Sequence, residues 1–200
     1  MPNREEVIRI LRDQTLGVKF NFYAPSGIYV TVDRSTFANV ADAIESGRIS
    51  LDFDQSHLPK DGDAMYIQAN LIPEWYEMAD PISGIMLLNT NNDFSSRGAV
   101  VHESVHASLD LSFTPNLMAL ENEAAAFIAE ALYYRNNNYR YTSANTPQGR
   151  IVEESRRIAN SISNANERQI PTQSVQTLID VLMESPSYYS RRNNRYISNR

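Results

Sequence analysis

The chain has 200 residues, of which 42% are hydrophobic and 21% are charged, and its formal net charge is −6. These values predict one folded domain with a substantial core, and they argue against a disordered chain and against a general nucleic-acid binder, which would be basic. The absence of cysteine excludes disulfides and thiolate metal sites, so that any zinc site must use His, Asp or Glu.

The first half of the chain combines short strands with helices. Apolar residues at helical spacing predict a helix at residues 4–13 and a second one that runs through Phe37 and Ile44 and ends at Gly47. The candidate caps of the second helix are Asp33, Ser35 and Thr36. Alternating apolar residues predict a hairpin of strands 18–23 and 28–32, followed by strands at 49–53 and 85–88 and, between these, a fourth strand made of 65–67 and 71–72. The charged amphipathic start has no apolar signal core, and no segment is long enough to cross a membrane. We therefore expect a soluble, cytoplasmic protein without membrane partners, although export by a non-classical route stays open.

The second half of the chain has the periodicity of helices. One helix is predicted from Ser95 or Ser96 to about residue 110, a second at 115–135, and two more beginning at Pro147 and Pro171. The Arg- and Asn-rich end, 186–200, is predicted to be an exposed basic tail. Strands followed by helices predict an α+β fold. We expect a single domain at 1–185, with metal-site helices at 95–135 and covering helices at 147–185.

The segment His102-Glu103-Ser104-Val105-His106 has the HExxH pattern. In a helix, residues four apart lie one turn apart on the same face, so both imidazoles point the same way. Two neutral imidazoles at this spacing can bind one Zn²⁺, and Glu103 is then placed to take a proton from a metal-activated water. The chain has three histidines, and this motif contains two of them.

A catalytic zinc site needs a third protein ligand and an open position for water. His57 lies far upstream in a polar loop and is the weaker candidate. Glu121 and Glu123 lie in a predicted helix after the motif, roughly 200° apart around the helix axis, so only one of them can face the metal. The spacing alone leaves both open.

Residues 96–135 resemble the gluzincin metallopeptidases, the group that includes thermolysin and the ImmA/IrrE-like metallopeptidases. In that group HExxH is followed by a helix whose Glu is the third ligand, often within Asn-Glu-Ala. Asn122-Glu123-Ala124 matches this pattern, with sixteen residues between His106 and Glu123, and Phe127 follows one turn later as in the compact members. The resemblance implies a His102, His106 and Glu123 zinc site in a compact zincin-like domain with a small, mostly antiparallel sheet.

The chain departs from the thermolysin pattern at Phe127. In thermolysin-type enzymes an Asp four residues after the ligand Glu orients a histidine ligand, and Phe127 occupies that place here. The orienting group must then come from elsewhere. Asp110, one turn beyond His106, is the candidate.

Further roles follow from the resemblance. Glu103 is the expected general base, and the strand at Ile85–Leu88 is expected to pair with an extended peptide substrate. One of several tyrosines after the third-ligand helix is a candidate oxyanion donor: Tyr133, Tyr134, Tyr139 or Tyr141.

The sequence therefore predicts a zinc metallopeptidase acting on a peptide or protein. Three alternatives stay open: a catalytically inactive zincin-like binding or regulatory module, an effector- or toxin-type protease acting on one specific protein, and a metal-free interaction domain.

Overall fold

The structure is a computed structural model, and it describes residues 3–13, 17–58, 64–73, 76, 83–89, 94–112, 114, 116–139, 146–162 and 168–189, with the side chains of 94 and 95 excepted. Its elements in chain order are α1 (Arg4–Arg12), β1 (Phe20–Tyr23), β2 (Tyr29–Val32), α2 (Arg34–Glu45), β3 (Ile49–Asp52), β4 (Ala64–Gln68), β5 (Gly84–Leu88), α3 (Phe94–Leu111), α4 (Ala119–Asn136), α5 (Pro147–Ser161), α6 (Thr172–Glu184) and α7 (Pro186–Tyr189). They form two compact units, each discontinuous in sequence. Whether the chain is one domain, as the sequence suggests, stays a prediction.

The first unit contains α1, α2, α3 and a three-stranded sheet in the order β3-β5-β4. β5 pairs in parallel with β3 and antiparallel with β4. Every residue of β5 is buried, as expected for a central strand covered on both faces. α3 packs against β4 and β5, and α2 packs against α3 and β3. The helix that carries HExxH is thereby fixed on a sheet.

Apolar helix faces explain this packing. α1 begins after Asn3, whose side chain accepts a hydrogen bond from the Glu6 amide, and it buries one apolar stripe. α2 also buries one apolar stripe. It ends before Gly47, which has a positive φ of 75° that glycine adopts without a side-chain clash. The buried apolar residues of these two helices are Val7, Ile10, Leu11, Phe37, Val40, Ala41, Ala43 and Ile44.

The second unit contains the β1-β2 hairpin and α4, α5, α6 and α7. The hairpin is antiparallel, with Phe22 opposite Val30 and both side chains buried. β2 packs against α4 and β1 against α6, while α4, α5 and α6 pack against one another. α4 is buried almost throughout, because small alanines let neighbouring elements approach closely; its buried apolar residues are Leu120, Ala124, Ala125, Ala126, Phe127, Ile128, Ala129, Ala131, Leu132, Tyr133 and Tyr134.

The α+β class and most predicted elements are confirmed, with three corrections. The strands form two small sheets, and the three-stranded one is mixed rather than mostly antiparallel. Residues Ala69–Leu71 form a 3₁₀ turn, so Leu71 and Ile72 do not extend the fourth strand. α4 begins at Ala119 instead of residue 115, after Asn116 adopts a left-handed φ of 69° that breaks the helix. No helix in the described part of the chain is long and apolar enough to cross a membrane.

Candidate metal centre

The two histidines of the motif lie one turn apart on α3. Their ring centroids are 5.0 Å apart, and His102 is buried while His106 is partly exposed. α3 itself buries apolar residues beside and within the motif, including Val101 and Val105. The predicted helical presentation of two imidazoles on one face is therefore confirmed.

The Glu121 carboxylate is hydrogen-bonded to other residues of the second unit. Its carboxylate accepts hydrogen bonds from the amide and hydroxyl of Ser26, each at 2.7 Å, and from the amide of Met118 at 2.9 Å. The Met118 bond satisfies a free amide at the start of α4, and the Ser26 bonds hold the β1-β2 turn. Glu121 thus has a structural role that accounts for its buried charge.

Glu123 is the acidic residue that completes a ligand cluster. His102, His106 and Glu123 each offer one ligand atom, and these atoms lie within 4.8 Å of one another. Among the described residues, this is the cluster of three or more His, Asp or Glu side chains that can hold a metal ion. Two imidazole nitrogens and one carboxylate oxygen form the donor set of a known class of catalytic zinc site, so the residues fit the ion.

Glu103 points its carboxylate at the sheet. Its Oε2 accepts a hydrogen bond of 2.7 Å from the backbone amide of Tyr66 in β4. A carboxylate has two acceptor oxygens, so this bond fixes the group and leaves Oε1 for a further partner. The sequence predicts a base next to a ligand histidine, but it contains no signal for this amide.

Asp110 is bonded to the same strand. Its Oδ2 accepts from the Tyr66 hydroxyl at 2.8 Å, and its Oδ1 lies 3.4 Å from the Gln68 amide nitrogen. Both bonds tie α3 to β4. The expected role of Asp110 in orienting a histidine ligand stays a prediction.

The third histidine belongs to a separate group. His57 Nδ1 lies 2.7 Å from Asp52 Oδ2, which also accepts a hydrogen bond from the Tyr76 hydroxyl. The Asp52 hydrogen bond raises the pKa of His57. Burial alone would raise the pKa of Asp52, but the hydrogen bonds from Tyr76, the Asp54 amide and His57 outweigh it and lower that pKa. His57 is not part of the ligand cluster.

The predicted oxyanion donors lie on and after α4. Tyr133 and Tyr134 are buried, and the Tyr134 hydroxyl donates to Glu130 at 3.0 Å. The rings of Tyr134 and Tyr139 are 5.1 Å apart, and Tyr141 lies outside the described residues. These contacts indicate packing, and the oxyanion role stays a prediction. Phe127, the departure from the thermolysin pattern, packs edge-on against Tyr188.

The predicted pairing of substrate with Ile85–Leu88 is wrong. β5 is the central strand, with β3 hydrogen-bonded on one side and β4 on the other. A strand paired on both sides has no free edge to which a peptide can add.

Comparison of the chain with protein-family models, with curated proteins and with solved structures finds no match. The resemblance to gluzincins therefore depends on the motif residues and on the cluster they form.

Proposed function

We propose that the protein is a zinc-dependent metallopeptidase, with His102, His106 and Glu123 as zinc ligands and Glu103 as general base. The observation that carries the proposal is the cluster of three ligand atoms, two of them from imidazoles that flank the Glu103 position on one helix. Zinc hydrolases use this donor set and leave a coordination position open for water.

Each acidic residue near the cluster has a distinct role in this proposal. Glu121 caps α4 and holds a turn, which supports Glu123 as the ligand. Glu103 is held by a backbone amide from β4, which supports a base with a fixed orientation rather than a ligand.

The chemistry is hydrolysis of an amide bond. Zinc held by His102, His106 and Glu123 would supply a water of lowered pKa and would polarise the scissile carbonyl. Glu103 accepts one proton from the attacking water as the oxygen bonds to the carbonyl carbon. It then passes that proton to the amide nitrogen as the carbon–nitrogen bond breaks, which yields a carboxylic acid and an amine.

The test is cleavage of a mixed peptide library by zinc-loaded protein, with new termini detected by mass spectrometry. We expect cleavage by the wild type and a loss of about 10²- to 10⁴-fold in Glu103→Gln, because the base is removed while the ligands stay. The zinc content of Glu103→Gln should equal that of the wild type. His57→Ala is the matched control, since it removes a histidine outside the cluster, and it should keep both zinc and cleavage.

A result in which Glu103→Gln cleaves as fast as the wild type contradicts the peptidase proposal. If the protein binds zinc but neither the wild type nor any variant cleaves peptides, the alternative that remains is the non-catalytic zincin-like module.

A further inference from the structure

Tyr66 contacts α3 at two points through two different groups. Its backbone amide donates to Glu103 at 2.7 Å, and its side-chain hydroxyl donates to Asp110 at 2.8 Å. Glu103 and Asp110 are seven residues apart in α3, so they lie on one helix face about 10 Å apart along the axis. One residue of β4 therefore spans two turns of the helix that carries the motif.

The position of the Tyr66 ring depends on Gly84. A Cβ at Gly84 would lie 2.5 Å from the Tyr66 hydroxyl oxygen and 2.7 Å from its ring carbon Cζ and from the Ile67 carbonyl oxygen. Such contacts are far inside van der Waals distance, so the ring occupies the space that a side chain would fill. Because β5 has a glycine at position 84, the Tyr66 ring can pass over the strand there, and its hydroxyl reaches Asp110.

The register of the sheet makes this crossing specific. Gln68 pairs with Gly84 and Tyr66 pairs with Met86, so Tyr66 and Gln68 project from the same face of β4. Gln68 also reaches Asp110, at 3.4 Å. Two side chains on the same face of β4 thus contact one carboxylate of α3. These contacts fix the position of β4 along the axis of α3.

We propose that Tyr66 is a positioning residue for Glu103: its phenol, seated over Gly84 and bonded to Asp110, holds β4 so that the Tyr66 amide fixes the Glu103 carboxylate. This inference depends on the proposed function, because it assigns the fixed carboxylate as the base. An amide bond to Oε2 restricts rotation of the carboxylate and keeps Oε1 available for the proton of the attacking water.

The first test does not need activity. In protein labelled with ¹⁵N-tyrosine, the Tyr66 amide is identified as the resonance missing from Tyr66→Phe. Because a short bond to a carboxylate deshields the proton, we expect this resonance to move upfield in Glu103→Gln. Asp110→Asn and Asp110→Leu should also move this resonance upfield, and the shift in Asp110→Leu should be the larger of the two. Tyr134→Phe, which removes a tyrosine–carboxylate bond elsewhere, should leave it in place.

The second test separates positioning from general stability. Tyr66→Phe should bind zinc as the wild type does and should lose about tenfold in kcat with KM unchanged, because only the orientation of the base is altered. Gly84→Ala should reproduce the loss, provided that circular dichroism shows it folded.

The outcomes distinguish the two proposals. An unmoved Tyr66 resonance in Asp110→Leu overturns the positioning role, whether or not the protein cleaves peptides. A loss of zinc in Tyr66→Phe also overturns it, because Tyr66 would then act on the ligands. The resonance could also move while neither the wild type nor any variant cleaves peptides. That result would support the coupling of β4 to Glu103 and would contradict the proposed function.

Discussion

His57 and the His102–His106 pair are two histidine regions that differ in what surrounds the imidazoles. His57 shares the Asp52 carboxylate with the Tyr76 hydroxyl and the Asp54 amide, so it belongs to a small hydrogen-bonded group of its own. His102 and His106 instead present two rings from one helix face and join Glu123 in a cluster of ligand atoms. A histidine beside a carboxylate is therefore insufficient for a metal site, since an ion needs several lone pairs directed at one point.

The largest expected effect is the loss of zinc on removal of a motif histidine. His102→Ala and His106→Ala should each weaken zinc binding by more than about 100-fold, because a ligand contributes at least as much as the groups that orient it. Competition titration with a zinc-sensitive dye measures this. His57→Ala should bind as the wild type does, and a comparable loss in His57→Ala would erase the difference between the two regions.

A second effect separates the two glutamates of α4. Glu123→Gln should lose zinc, because it replaces a carboxylate ligand with a neutral amide. Glu121→Gln should keep zinc but lower the free energy of unfolding by about 1–3 kcal/mol, because three hydrogen bonds lose a charged acceptor. Urea unfolding and zinc titration of the same two variants give both quantities. The reverse pattern, with zinc lost only in Glu121→Gln, would make Glu121 the ligand.

The smallest expected effect is a pH dependence from His57. The pKa of His57 is raised above its ordinary value of 6.5 by Asp52, so the folded state binds this proton more tightly than the unfolded state. The resulting stabilisation is complete below about pH 6.5 and is lost as the pH rises through the raised pKa.

Thermal unfolding of chelator-treated wild type and His57→Gln measures this dependence. The difference in Tm between the two proteins should be larger at about pH 6 than at about pH 9. An equal difference at both values would mean that the Asp52 bond does not depend on protonation of His57.

The helix of the motif and the closeness of its two histidines were predictable from the sequence, because HExxH encodes its geometry within one helical turn. The spacing alone allowed either Glu121 or Glu123, and the choice of Glu123 came from the resemblance of Asn122-Glu123-Ala124 to the gluzincin pattern. What distinguishes them is that Glu121 binds Ser26, a contact between residues distant in sequence.

The role of Tyr66 was also hidden in the sequence. A tyrosine in a short alternating strand is typical of ordinary packing, and its amide carries no side-chain signal. Gly84 at the start of an apolar strand was the one available hint, because a glycine there indicates a close approach by another group. The central position of β5 depends on strand order, which periodicity does not determine.

X-ray absorption spectroscopy at the zinc edge, on protein loaded with one equivalent of Zn²⁺, tests the metal centre most directly. We expect two imidazole nitrogens at about 2.0–2.1 Å with oxygen ligands completing the sphere, and the loss of this signal in Glu123→Gln. Zinc bound without imidazole ligands, or with a spectrum unchanged in both His106→Ala and Glu123→Gln, would contradict the proposed site.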